Sequence, residues 1–224
     1  MTRETLTKEH IVKAAVDLLD SQGVDGLSMR NLGKRLGMAA TSVYWHIDSK
    51  ESVLSLAADR VWGEIVLPEY HAKEWLDAAH DLAWNTYSVA VQHPWLVSAM
   101  TDHFVYGPNR ARHQNHCYAI LEHAGFTDEH LDAAIDVIFT FVLGAAMAAS
   151  TENTIHRAIQ KGGPKSRHIK NLIEEASQTA AQFPRLHARL ANTAHTPDNT
   201  RQTLVERVLR TILKGLERQS RSAE

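Results

Sequence analysis

Cysteine occurs once in this chain, at Cys117, so no intrachain disulfide can form and stability must come from a packed interior. A lone thiol suits a reducing compartment. Net charge is nearly absent too, because 24 Lys and Arg against 26 Asp and Glu leave a formal −2. Charge spread evenly at that level would argue against a polyanionic partner, so its distribution has to decide. The longest apolar run, Val137 to Ala149, is shorter than the roughly 20 residues a membrane-spanning helix needs. Met1-Thr2-Arg3-Glu4 opens without the apolar core of a secretion signal. These absences predict a cytoplasmic protein with no membrane association. Catalytic signatures are missing as well: there is no Gly-x-Ser-x-Gly elbow, P-loop, Cys-x-x-Cys or His-Glu-x-x-His. None of the 14 histidines has a glutamate three residues before it, which removes the di-iron pattern of helical bundles. An enzyme therefore has no constellation to rest on, and no cofactor is expected. His113-Gln114-Asn115-His116 does set two imidazoles at i,i+3, a chelating spacing. On that pair a metal-dependent helical enzyme remains the alternative.

What is present reads as helix. No window alternates polar and apolar residues as a half-buried strand does, there is no internal repeat, and 44% hydrophobic residues over 224 positions can bury a substantial core. The fold class expected is all-α. Thr7 can cap a first helix to about Leu19, with Ile11, Ala14, Ala15, Leu18 and Leu19 inward and Gly23 and Gly26 ending it. Ser28 to Gly37 follows as a capped helix with Leu32 and Leu36 inward and Gly37 as its left-handed stop. Asp48 stands three residues before Glu51 as in a capping box and starts a helix through Val53, Leu54, Ala57, Val61 and Trp62. Residues 67 to 73 break the pattern as a linker. Helical patterns then cover about 74–92, 94–101, 108–124, 128–156, 167–182 and 199–219, with Pro94, Gly107-Pro108, Gly125 and Gly162-Gly163-Pro164 between them. The expected division is 1–66 and 67–224.

The stretch from Ala39 to Lys50 stands out. At 100° per residue Val43 and Ile47 share one side, Thr41, Ser42 and Trp45 lie roughly opposite, and Tyr44 and His46 fall on the margins. An outward face of aromatic and hydroxyl groups, after another short helix and a glycine turn, makes a helix-turn-helix whose second helix enters the major groove. The charge agrees. Residues 28 to 50 hold Arg30, Lys34, Arg35 and Lys50 against Asp48 alone, whereas residues 51 to 160 hold 14 acids and 5 bases. The basic patch would draw phosphate and the acidic body would repel it.

Residues 7 to 66, with Val43-Tyr44-Trp45-His46-Ile47 followed by Lys50, closely resemble the DNA-binding domain of the TetR family, the tetracycline-repressor-type regulators. The resemblance implies phosphate contacts by Tyr44 and Lys50, and a repressor released from a palindromic operator by a small-molecule effector. Arg30, Ala40, Thr41, Ser42, Trp45 and His46 complete the expected DNA surface. The chain departs from the tetracycline repressors proper at Ala39-Ala40-Thr41, which lacks their glutamine and proline. It departs again before Leu143-Gly144, where Thr140 and apolar neighbours stand in place of a magnesium-binding histidine. The effector is therefore expected not to be magnesium-tetracycline.

Two helices are read as made for a partner. Ala133 to Ala149 is apolar all round, which one subunit can hardly cover, and the last helix carries a broad stripe of Leu204, Val205, Val208, Leu209, Ile212, Leu213 and Leu216. Paired with the same helices of a second copy they would form a four-helix bundle across a twofold axis, as in TetR-family homodimers. Large amphipathic side chains crowd residues 62 to 147. From these an effector pocket is expected to use Trp62, Trp84, Tyr87, Met100, His103, Phe104, His116 and Phe139. The remaining alternative is a DNA-binding dimer whose C-terminal domain binds no ligand.

Overall fold

The structure, a computed structural model, describes residues 6–193 and 200–220; Met1–Glu4 and the expected helix start at 199 lie outside them. Among the described residues there are eleven helices and no strand, as the periodicity predicts. Contacts divide the chain into two compact units, Met1–Met147 with Leu209–Glu224, and Ala148–Val208.

The first unit opens with α1 (Lys8–Gly26), capped by Thr7, whose hydroxyl accepts from the His10 N–H at 3.3 Å. Gly23, at φ 70°, kinks α1 rather than ending it, so a last turn runs past the expected stop at Leu19. Helix α2 (Met29–Arg35) is capped by Ser28, which accepts from Asn31 N–H at 3.1 Å, and Gly37 turns left-handed at φ 69° as expected. Arg35 reaches back to Asp17 of α1 at 3.2 Å. Helix α3 (Ala40–Tyr44) is only five residues long; Trp45 and His46 leave it in a turn, and Ile47 tucks back into the core. Helix α4 (Lys50–Trp62) is capped by Ser49, not by Asp48. Ser49 has the extended backbone a cap requires, and its hydroxyl accepts from the Ser52 N–H at 3.0 Å, while Asp48 stays in solvent.

A non-helical stretch, 63–74, leads into α5 (Trp75–Gln92), α6 (Trp95–Asp102) and α7 (Pro108–His123). Helix α4 packs against α1, α6 and α7, which places it between the N-terminal helices and the rest of the unit. The first half of α8 (Asp128–Lys161) and the last turns of α11 (Thr200–Ser220) close a second apolar cluster of Leu121, Phe126, Leu131, Ala134 and Leu216. Helix α8 is longer than the apolar run within it, and among the described residues it is the one helix long and apolar enough to cross a membrane by length and composition. Leu131, Ala134, Val142 and Ala146 are buried against the body, whereas most of its apolar window is not.

The second unit holds the remainder of α8 and of α11, with α9 (Gly163–Ala181) and α10 (Pro184–Thr193), which pack on one another. Helix α9 begins earlier than expected because Pro164 sits in its first turn, where the missing N–H costs nothing. Helix α10 lies between the expected helices 167–182 and 199–219, where none was expected. Ser166 is buried and donates to the Ile159 carbonyl at 3.1 Å, and Arg201 pairs with Glu152.

Candidate functional site

Two features of the first unit can carry function, and α4 touches both. At one end, Val43 and Ile47 are buried and hold α3 against α2, so the opposite side of α3 is left in water: Tyr44 is half exposed and Trp45 is 88% exposed. Thr41 and His46 are exposed with them, Arg30 lies exposed on α2, and Ala40, Ser42 and Lys50 are half-buried. The α2–α3 approach depends on Gly33. A Cβ there would lie 2.9 Å from the Met38 carbonyl oxygen and 3.0 Å from the Ala40 nitrogen, both backbone atoms. An indole left this bare is placed to meet a ligand larger than the protein's own side chains.

In the body, α5, α7 and α8 line a half-open cavity of about 40 Å³, with Ala79, Leu82, Ala83, Thr86, His113, Cys117 and, from α8, Ile138, Phe139 and Val142 among others in its walls. Its few polar atoms are spent on one another. The Thr86 hydroxyl donates to the Leu82 carbonyl at 2.8 Å, which leaves its oxygen to accept from His113 Nε2 at 2.8 Å. His113 Nδ1 then faces the Cys117 thiol at 3.7 Å as an acceptor. Burial, with lesser repulsion from His116, Arg110 and Arg112, pushes the His113 pKa down to about 4, so the imidazole is neutral. Burial likewise pushes the Cys117 thiol up to about 12. Behind the lining, Trp62 at the end of α4 meets the edge of His113 at a ring distance of 4.9 Å and stacks on Phe139 at 6.2 Å. Its indole N–H is buried without an acceptor.

Residues 67–220 match the profile of the tetracyclin repressor-like C-terminal domain, and residues 11–57 match that of the bacterial regulatory proteins of the tetR family. The chain belongs to the TetR family. Among its relatives, an HTH-type transcriptional regulator of Saccharopolyspora erythraea is 36% identical over 186 residues, covering 82% of this chain and 77% of that protein. The transcriptional repressor DrrR1 of Streptomyces coeruleorubidus is 32% identical over 145 residues, 64% of this chain and 54% of its own length. Of the solved structures, apo ActR from Streptomyces coelicolor superposes with a TM-score of 0.73 at 26% identity, with all of both chains covered; ActR has also been solved in complex with (S)-DNPA.

This TetR-family chain brings some of the expected pocket residues together and leaves others apart. Phe139 lines the cavity, and Trp62 lies directly behind it. Tyr87 is buried on α5 beside Trp84, at a ring distance of 5.4 Å, but neither is in the lining. Met100 and His103 are half-buried on and after α6, and Phe104 is 92% exposed, stacked on Tyr106 at the surface. His116 turns away from the cavity and donates Nε2–H to the Pro68 carbonyl at 2.7 Å, within a ring cluster with Tyr70, His71 and His123. The i,i+3 histidines are thus split between two environments, and no group of three His, Cys, Asp or Glu side chains among the described residues is arranged to hold a metal. The inward histidine is His113, partnered by Thr86 and Cys117. The i,i+4 spacing of His113 and Cys117 was the available signal, since it sets both on one face of α7.

Proposed function

We infer that the protein is a homodimeric repressor that binds a pseudo-palindromic operator and is released from it by a small, uncharged, largely apolar effector. The observation that carries this reading is the pairing, through α4, of an outward-facing Tyr44 and Trp45 surface with an apolar cavity whose one histidine is neutral. Lys50 and Tyr44 hold operator phosphates, while Arg30, Thr41 and Ser42 read base edges; Ala40 can offer only a methyl contact, and Trp45 and His46 border the groove. The ActR complex with (S)-DNPA and the repressor name of DrrR1 support effector-controlled repression.

The dimer forms through α8 and α11. Ala133, Val137, Thr140, Gly144 and Met147 make one exposed stripe along α8 at helical spacing, and Thr211 and Gly215 lie exposed on α11. A Cβ on Gly144 would meet nothing within 4 Å, so close approach there is left open to a second chain. The protein acts in the cytoplasm, without membrane or metal, and does no catalysis.

An effector carrying an oxygen acceptor finds a donor in the unsatisfied Trp62 N–H, an energetic gain available only once it is bound. A drug-sized ligand needs roughly 300 Å³ or more, so binding must part the helices around a 40 Å³ cavity. The same small volume favours a second reading, in which the body only dimerises. The test is to select an operator from a randomised duplex pool and titrate the complex with neutral polycyclic ketones. Release by such a compound, with retention under magnesium-tetracycline, is the expected result. A chain that selects a duplex but binds no apolar compound is the second reading, and failure to select any duplex refutes both.

A further inference from the structure

Helix α7 is held by α4 through its first turn. The Asp59 carboxylate of α4 accepts the Asn109 backbone N–H at 2.9 Å and the Arg110 backbone N–H at 3.1 Å with Oδ1, and the Asn109 amide at 3.1 Å with Oδ2. These donors are N–H groups that a helix start leaves without intrahelical partners, so a carboxylate there is bound by hydrogen bonds and by the helix dipole together. The fit is close on every side. A Cβ on Gly107, the residue before α7, would fall 2.4 Å from Asp59 Cγ, and one on Gly63 would fall 3.1 Å from the Asn109 side chain. The Arg110 guanidinium lies over the Trp62 ring, 5.6 Å from its centroid.

We propose that Asp59 is the positioning residue that couples the effector cavity to the DNA-reading end, by fastening the start of α7 to α4. This rests on the cavity being the effector site. Helix α7 lines that cavity through His113, Cys117, Ile120 and Leu121. From Asn109 to Cys117 is only about 12 Å of helix at 1.5 Å per residue, so α7 responds as one rod. A ligand that enlarges the cavity displaces α7, and the carboxylate carries that displacement into α4. Lys50 begins α4 at its other end, so the shift reaches the operator surface directly. By reciprocity, operator binding that fixes α4 must restrain α7.

The reciprocal form can be tested without knowing the effector. Amide hydrogen exchange is measured on the full chain with and without an operator duplex selected from a random pool. In the parent, operator binding slows exchange across 109–121. In D59A, operator affinity stays within about threefold while the operator-dependent slowing in 109–121 is lost. G107A, whose methyl displaces the carboxylate, gives the same loss by an independent route, and D59L, which fills the site but can accept no hydrogen bond, covers the case in which D59A does not fold. Retention of the parental response in variants that still bind the operator overturns the proposal. So does the absence of any response along α7 in the parent. The neutral arene 1-aminoanthracene, followed by its fluorescence, separates this from the functional reading. If it fails to enter the cavity of the parent while exchange still reports the α4–α7 link, the effector reading fails and the coupling stands. Where it enters and weakens operator binding, that coupling, roughly 5–150-fold in comparable systems, should fall to within about twofold of none in D59A.

Discussion

Gly33→Ala gives opposite signs for two physical effects. Gly33 sits inside α2, where alanine is ordinarily favoured over glycine by about 1 kcal/mol, so local propensity predicts a more stable protein. The structure predicts the reverse. The new methyl would lie 2.9 Å from the Met38 carbonyl oxygen, 3.0 Å from the Ala40 nitrogen and 3.2 Å from the Ala40 Cα, and these backbone atoms cannot rotate away as a side chain would. Relief requires α3 to move off α2, an overpacking cost of about 1–3 kcal/mol. The net expectation is a loss of about 1 kcal/mol. Because α3 is the element displaced, operator affinity should fall at least about tenfold, equivalent to roughly 1.4 kcal/mol shared between the two half-sites of a dimer. Urea unfolding read by circular dichroism gives the first quantity and fluorescence anisotropy on a labelled duplex gives the second. A variant that is more stable than the parent and keeps its operator affinity would refute the close-approach reasoning outright.

Lys50→Ala should weaken binding alike on all duplexes and lower the log-log salt slope by roughly one unit per subunit, since a lysine at a phosphate acts through counterion release; an unchanged slope removes Lys50 from the DNA backbone. Gly144→Leu should leave the fold of the single chain intact, because nothing lies within 4 Å of its Cβ position, yet shift sedimentation from dimer to monomer; a fully dimeric variant relocates the interface. His113, neutral in the fold with its pKa near 4 against an ordinary 6.5, makes stability fall as acid is added: the unfolded chain takes up its proton below 6.5 while the folded chain does not until about 4. Between those limits the loss reaches about 3 kcal/mol at most. Parallel urea titrations of the parent and His113→Phe at pH 7 and 4.5 measure it, and an equal pH dependence in the two assigns the loss elsewhere.

The fold of the N-terminal helices was legible because its signals are local. Caps at Thr7 and Ser28, a left-handed Gly37 and the buried pair Val43 and Ile47 lie within a few residues of what they determine. At the start of α4 the expected cap, Asp48, gives way to its neighbour Ser49. Asp48 and Ser49 can both cap a helix, and the choice was made by backbone angles that composition does not reveal. The cavity was less legible because an aromatic on a helix gives no sign of which neighbour it will meet. Phe104 and Phe139 look alike in sequence, yet one lies in solvent and the other in the lining. His113 and His116 were separated by a contact with Pro68, 48 positions before His116 in the chain. Asp59 gave no signal at all, since its meaning depends on where a helix 50 residues later begins.

The smallness of the cavity has a kinetic consequence. A 40 Å³ space bounded by three helices is too small for a large molecule as it stands, so binding waits on a rearrangement of the body and not on diffusion to its surface. Collective motions of that kind run on microsecond to millisecond scales and beyond, and the same gate slows escape. Such a switch answers to the sustained presence of its signal and ignores a passing pulse: once filled, it keeps the record of an exposure after the free compound has been cleared.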